Sequence, residues 1–384
     1  MLEKKISVAF ILPQFFPETY GGAEKSSLKL ACDLKNKNIN TFILAPKLKK
    51  KTPFENYERN IFVKRFKVKH YPYLGGKKII SFISWSIQLI YFLLKNSNKF
   101  DVIHIIHGRL HALPAIFAAK MLKKPILIKL GRGGGEKYFD LDVVSQKKLF
   151  GQFYYKSILK NVTCWVANSN EIRNDLKRHN ISDENIYNIY NGIDIVEIRT
   201  NKFKKNKTFI VVGRLEEEKF CNQIINVFSK IPEILNVKLL FYGDGSQKVF
   251  LEKLKIKLNQ THRIFFKDVV EDINKEIINA DFYLSASVSE GMSNALLESM
   301  SLGVPGVVSN VSGVDEIIVN NKTGFIFEMR NDKLLYQQLI NAINISEDDY
   351  TKMSNMASEH IFKNFSIDQI SKRYVKLYSH LIKK

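Results

Sequence analysis

Residues 280–309 read ADFYLSASVSEGMSNALLESMSLGVPGVVS. A short apolar run ends in a polar loop, a stretch with helical spacing follows, and a second apolar run after Pro305 closes the unit. Such strand–loop–helix–strand order is a βα repeat of a mostly parallel sheet, and open sheets of this kind bind ligands at the carboxyl ends of their strands. The loop is where the chemistry concentrates. Glu290 lies in it and Glu298 stands eight residues on, inside the helix. At about 3.6 residues per turn that is a little over two turns, so both carboxylates can face one ligand. Between them Gly291, Ser293 and Asn294 offer donors at a helix N-terminus, suited to sugar hydroxyls or phosphate.

The same alternation extends outward in both directions. Before it come TFIVVGRL, VKLLFYGDG and RIFFKDV, and after it GFIFE, each apolar run ending in a polar or glycine-rich turn. An earlier set, KISVAFIL, TFILAP, DVIHII, PILIKL and TCWVANS, is separated from this one by the cationic stretch EIRTNKFKKNK at 197–207. The reading is therefore α/β, with two Rossmann-like domains: residues 1–196, a linker at 197–207, and residues 208–360. A helical segment at 361–384 is expected to pack back on the first domain, and the cleft between the domains is the expected site.

Composition narrows the function. With 384 residues, 45% of them apolar, the chain can bury two cores without disulfides or structural metal. Cys32, Cys164 and Cys221 form no Cys-x-x-Cys pair, which points away from a zinc knuckle and toward a reducing cytoplasm. The apolar N-terminus meets Pro13 without a small-residue cleavage site and reads as a buried strand rather than a leader. Net charge is +21, and its distribution is uneven: residues 1–150 hold 28 basic and 10 acidic residues, residues 151–384 hold 31 and 28. A cationic first half suits a polyanion, nucleic acid or anionic lipid. No aromatic stacking platform or nucleic-acid motif accompanies it, which favours lipid. The stretch 79–94, IISFISWSIQLIYFLL, is too short to span a bilayer but places Ser81, Ser84 and Gln88 on one helical stripe, with Trp85, Leu89 and Phe92 elsewhere. Lysines flank it, so it is expected either to lie in a membrane interface or to pack on its own sheet.

Further candidates follow strand ends. Gly21 and Gly22 precede a helix start, where backbone N–H groups can approach a phosphate. Arg214 and Lys219, in VVGRLEEEKF, can hold a diphosphate and stabilise it as a leaving group. His104, His107 and His111 in DVIHIIHGRLH suggest acceptor contact or acid/base work, with no fourth ligand in sight for a metal. Asp140 and Asp142 have the Asp-x-Asp spacing of metal-dependent sugar transferases but no strong strand leads into them. Arg132 and Gly133, in GRGGGEK, form a glycine loop on the acceptor side.

Taken together, GGAE, NGID at 191–194, GRLEEEK, FYGDGS, SEGMSNALLE and GVPGVVSNVSGVDEIIVNNKTGF resemble, in order and over nearly the whole chain, the retaining family 4 glycosyltransferases of the GT-B fold. The resemblance implies two Rossmann-like domains, a nucleotide-sugar held mainly by the second, a C-terminal helix crossing back to the first, and no obligatory metal or other cofactor. By position, Arg214 and Lys219 match the pair that neutralises the donor diphosphate, Glu298 the carboxylate on the ribose, and Glu290 the one at the donor sugar. Gly22 matches the glycine that approaches the diphosphate from the opposite domain, and Val269 falls where the backbone reads the base. Gly21, Gly291, Met292, Ser293 and Asn294 complete the implied donor set, and His107, His111, Arg132 and Gly133 the acceptor side. Two positions depart from the pattern: Phe220 follows Lys219 where Gly is usual, and Leu130 or Gly131 stands near the end of the strand PILIKLG where many members have His.

The expected activity is transfer of a sugar, by family habit from a UDP conjugate, to a lipid-linked or growing surface glycan such as capsule, lipopolysaccharide or exopolysaccharide. Its place would be the cytoplasmic face of the cell membrane, in peripheral contact with anionic lipid and without nucleic acid. An epimerase or phosphorylase on the same fold, or a non-catalytic basic binding protein, are the alternatives.

Overall fold

The computed structural model describes residues 5–19, 21–70, 78–132, 139–146, 151–195 and 203–383. Two compact units emerge, Met1–Gly192 with Ile367–Lys384, and Ile193–Ser366.

The first unit carries strands β1 (Ser7–Ile11), β2 (Asn40–Lys47), β3 (Glu55–Glu58), β4 (Ile61–Lys67), β5 (Val102–Ile106), β6 (Ile126–Leu130), β7 (Cys164–Ala167) and β8 (Ile186–Asn188). They form one sheet in the order β3-β4-β2-β1-β5-β6-β7-β8. All pairings are parallel except that of β3 with β4. Its helices are α1 (Gly22–Asn36), α2 (Lys78–Lys95), α3 (Leu113–Leu122), α4 (Asp140–Ser145), α5 (Gly151–Asn161) and α6 (Asn170–Arg178). Strands β5 and β6 are buried at every position, as expected of parallel strands covered on both faces.

The second unit has six strands, β9 (Thr208–Val212), β10 (Lys238–Tyr242), β11 (Ile264–Lys267), β12 (Phe282–Ser285), β13 (Gly306–Ser309) and β14 (Gly324–Phe327). They run parallel in the order β11-β10-β9-β12-β13-β14, so the order reverses between β9 and β12. Its helices are α7 (Cys221–Phe228), α8 (Lys248–Lys257), α9 (Asn274–Ile277), α10 (Asn294–Ser301), α11 (Val314–Ile317), α12 (Asp332–Ile343) and α13 (Glu347–Phe365). The last helix, α14 (Ile367–Lys383), belongs to the first unit, where Tyr374, Leu377, Tyr378 and Leu381 pack in one cluster with Val8 and Phe10. The helix expected over 361–384 thus begins at Ile367.

Two of the segments read from the sequence gain detail. The described end of the linker, residues 203–207, carries a buried cation. Lys207 is buried in the second unit, its ammonium 3.6 Å from the ring centre of Phe203 and 4.9 Å from that of Tyr350. The polar stripe of α2 holds the chain at the end of β4. Ser84 Oγ and Gln88 Nε2 donate to the Lys67 carbonyl at 3.2 and 3.0 Å, and His70 N donates to Ser81 Oγ at 3.0 Å. The stripe therefore secures the chain leaving β4. Trp85, Leu89 and Leu93 fill the core beside it, with Trp85 edge-on to Phe66 at 5.7 Å.

Candidate active site

In the second unit the reversal between β9 and β12 places two loops side by side, and such a switch point is where parallel sheets take ligands. The loop after β9 is moulded by the loop after β10. Leu215 N donates to Asp244 O at 2.9 Å, Gln247 N to Leu215 O at 2.9 Å, and the Glu216 carboxylate accepts from Ser246 N at 3.2 Å and Ser246 Oγ at 2.6 Å. The approach demands glycine in FYGDGS: a Cβ on Gly243, at φ +152°, would lie 1.9 Å from the Gly213 carbonyl oxygen. A short 3₁₀ turn, Glu217–Lys219, then delivers Lys219.

Lys219 forms an ion pair with Glu290 across the switch point. Ser287 Oγ donates to the same Glu290 Oε1 at 3.0 Å, and Val288 N donates to Glu218 O at 2.9 Å, so side chains and backbone both tie the two loops together. Burial on its own would lower the Lys219 pKa, but the Glu290 carboxylate and the nearby Tyr283 hydroxyl hold it above its ordinary value. The lysine is a fixed cation. Phe220, where the family pattern has Gly, adopts φ +51° in the left-handed region, which explains why glycine is usual there. Arg214 is exposed and pairs with Glu218 at 3.3 Å.

After β12, Ser293 Oγ accepts from Leu296 N at 3.4 Å and caps α10, which opens with Asn294. Gly291 and Met292 are buried, and Ser293 and Asn294 are partly exposed. A Cβ on Gly313, at φ +82°, would fall 2.3 Å from the Gly291 carbonyl oxygen, so the SGVDE turn packs directly under this loop. Glu298 is partly buried on α10, and Val269 is exposed beyond the end of β11.

The first unit assembles a second constellation at the ends of β5 and β6. Asp140 is fully buried and accepts from Arg109 Nε at 2.7 Å and from Gly108 N at 3.2 Å, with His107 Nδ1 also 3.2 Å away. Burial would raise its pKa, but the charges of and hydrogen bonds from His107 and Arg109 hold it well below the carboxylate range. His107 has φ +70°, a strained conformation for a non-glycine residue. Its ring fills the space beside Gly131, where a Cβ would lie 3.1 Å from Cε1. The Asp-x-Asp spacing serves two different partners, since Asp142 meets His179 Nε2 at 3.0 Å.

His111, expected on the acceptor side, is instead a core residue. It is fully buried with Nε2 2.9 Å from the Ile106 carbonyl, and desolvation together with the charge of His107 pushes its pKa down to about 3. His104 is likewise buried, against Tyr378 Oη at 2.8 Å. Arg132 is partly exposed after β6, and Gly133 lies outside the described residues. Gly21 caps α1, which starts at Gly22. Two groups here escaped the sequence reading. Glu24 is buried with Oε2 unpartnered among the described residues, and a Cβ on Gly21 would lie 2.3 Å from that oxygen. Lys129, on β6, is buried with Nζ 2.9 Å from Asn191 Oδ1 of the NGID motif, and desolvation lowers its pKa to about 8. Glu24 sits in the quoted GGAE motif, whereas nothing in PILIKL distinguishes a buried lysine from a solvated one.

Two family models together span most of the chain. Glycosyltransferase Family 4 matches residues 20–197, and Glycosyl transferases group 1 matches residues 193–360. The chain belongs to this glycosyltransferase family. Among curated relatives, the glycosyltransferase is 24% identical to the N-acetyl-alpha-D-glucosaminyl L-malate synthase of Bacillus anthracis, over 74% of this chain and 76% of that one. It is 25% identical to the capsular polysaccharide biosynthesis glycosyltransferase CapM of Staphylococcus aureus, over 69% and 73%. Among solved structures, the Anabaena Alr3699/HepE protein in complex with UDP and glucose superimposes with a TM-score of 0.75 at 16% identity, over 98% of this chain and 100% of that one. The fold is GT-B, and the glycosyltransferase is related to enzymes of capsule and polysaccharide biosynthesis.

Proposed function

We propose that this glycosyltransferase moves a sugar, with retention and without a metal, from a UDP conjugate to a lipid-linked or growing surface glycan at the cytoplasmic membrane face. The observation that carries the reading is the Lys219–Glu290 ion pair, which joins two motifs 71 residues apart at the switch point of the second unit. In this reading Lys219 and Arg214 brace the donor diphosphate, Glu290 meets the donor sugar and Glu298 the ribose. The backbone from Gly291 through Asn294 lines the same donor, Val269 lies by the base, and Gly21 and Gly22 contribute from the first unit. His107, Arg132 and Gly133 serve the acceptor.

The chemistry needs no protein nucleophile. The leaving diphosphate, its charge offset by two cations, takes the acceptor hydroxyl proton on the face it departs from, and electrostatic stabilisation lowers the barrier. UDP is favoured because HepE, of the same fold, is solved with UDP and glucose. A surface glycan is favoured by the similarity to CapM.

A thermal-shift panel of UDP, GDP, ADP and their sugar conjugates tests this. At a hundredfold excess over Kd a ligand of the native state adds about 2.7 kcal/mol of stability, so UDP and one UDP-sugar should raise Tm by several degrees. Glu298→Ala should abolish the shift. A flat panel in the wild type would overturn the donor assignment, and product formed without acceptor would indicate an epimerase instead.

A further inference from the structure

The outward faces of α2, α3 and α5 have the chemistry of a lipid-facing surface. Opposite the buried Trp85, Leu89 and Leu93, α2 exposes Ile80 (67%), Ile83 (50%), Ile87 (64%) and Tyr91 (63%). At about 100° per residue these four fall in one narrow stripe. The helix thus presents three faces: Trp85, Leu89 and Leu93 in the core, Ser81, Ser84 and Gln88 bonded to the chain from Lys67 to His70, and the stripe of Ile80, Ile83 and Ile87 that meets solvent. Helix α3 packs beside α2, and α5 beside α3. They add exposed Phe117, Met121 and Phe153, and a groove at Phe117 and Met121 reaches Ser157 and Asn161 of α5. Exposed apolar side chains this numerous on one side of a unit mark an interaction site.

Charge selects the occupant. The three helices contain five lysines, Lys78, Lys95, Lys120, Lys156 and Lys160, all exposed, and no Asp or Glu. Lys95 lies over the Tyr91 ring at 5.6 Å, its stem on apolar surface and its head in water. A protein partner would need a face both apolar and uniformly acidic. A bilayer with anionic headgroups supplies acyl chains for the isoleucine stripe and phosphates for the lysines in a single surface. We infer that α2, α3 and α5 form a docking face that seats the first unit on an anionic membrane, α2 lying in the interface while it also packs on its own sheet. This rests on the reading that the acceptor is presented at the membrane, and it names the surface that meets it.

The test is co-sedimentation of the full chain with vesicles of phosphatidylcholine alone or mixed with phosphatidylglycerol. The wild type should bind the mixed vesicles, less tightly as sodium chloride rises. Lys95→Gln with Lys156→Gln and Lys160→Gln should weaken binding on the order of 100-fold, about fivefold per lysine. Ile83→Ser with Ile87→Ser should weaken it at least tenfold without altering the Tm shift produced by the nucleotide-sugar, which reports that the fold is intact. No binding by the wild type, or equal binding by both variants, overturns the docking face. So does light scattering that shows a dimer lost in Ile83→Ser with Ile87→Ser, since the face would then be an interface between copies. A thermal shift with UDP-sugar alongside failed vesicle binding would reject this inference while leaving the glycosyltransferase reading in place.

Discussion

The two units share a parallel-sheet plan but use it differently. In the second, the polar groups at the strand ends pair with one another across neighbouring loops and stay at least partly open to solvent: Lys219 with Glu290, Glu216 with Ser246, Arg214 with Glu218. In the first, several of the corresponding groups are buried at a cost, including Asp140, His111 and Lys129. The second unit's switch point is built from backbone turns and a cation–carboxylate pair. The first carries an individual polar cluster on one rim and an apolar, cationic outer face.

Three substitutions sharpen this contrast. The largest effect is expected at the second unit's switch point. Lys219→Ala removes the cation proposed to brace the diphosphate and leaves Glu290 without its ion pair; it should lower kcat on the order of 10²–10³-fold, with the circular dichroism of a folded protein and a Tm lowered by about a few degrees. Wild-type turnover would erase the functional distinction between the units.

The second effect is on stability and belongs to the first unit. Among the described residues no carboxylate pairs with Lys129, and burial lowers its pKa to about 8 from an ordinary value of 10.5. Between those values the unfolded chain binds more protons than the folded one, so stability rises with pH across that window and is diminished below it. Lys129→Met should therefore raise unfolding free energy at pH 7 by about 3 kcal/mol and flatten its rise between pH 8 and 10.5, measured by urea melts. A destabilised variant would show that the Asn191 contact outweighs the burial.

The smallest effect concerns the strained histidine. His107→Gln keeps a hydrogen-bonding side chain but loses the imidazole held against Asp140 and should lower kcat/KM for acceptor about tenfold to a hundredfold, leaving the nucleotide thermal shift intact. If both acceptor and donor parameters are unaffected, the His107–Asp140 pair is purely structural.

Much of this architecture is written in short-range pattern. The parallel strands are near-continuous apolar runs because both faces are covered, and the motif loops are legible because their glycines answer close backbone approaches such as Gly243 on Gly213. The hairpin β3–β4 is less legible. Its two-residue turn is Arg59-Asn60, both at positive φ, in place of the usual Asn-Gly, and β4 hides a buried Arg65 that donates to Asn56 Oδ1 at 2.5 Å. A charged residue inside a strand reads as surface until its partner is known.

The sequence by itself determined the family, the two βα sets, the order of the donor motifs and the excess of cations in the first half. Periodicity and glycine placement are local properties, so they survive without coordinates. Only the tertiary structure decided that Lys219 meets Glu290, that His107 occupies the space beside Gly131, and that His111 is core. It also decided which face of α2 is turned outward. Amphipathic spacing gives two faces of a helix but not which one the sheet covers, and here the apolar side chains are numerous enough to fill the core and still leave Ile80, Ile83 and Ile87 exposed.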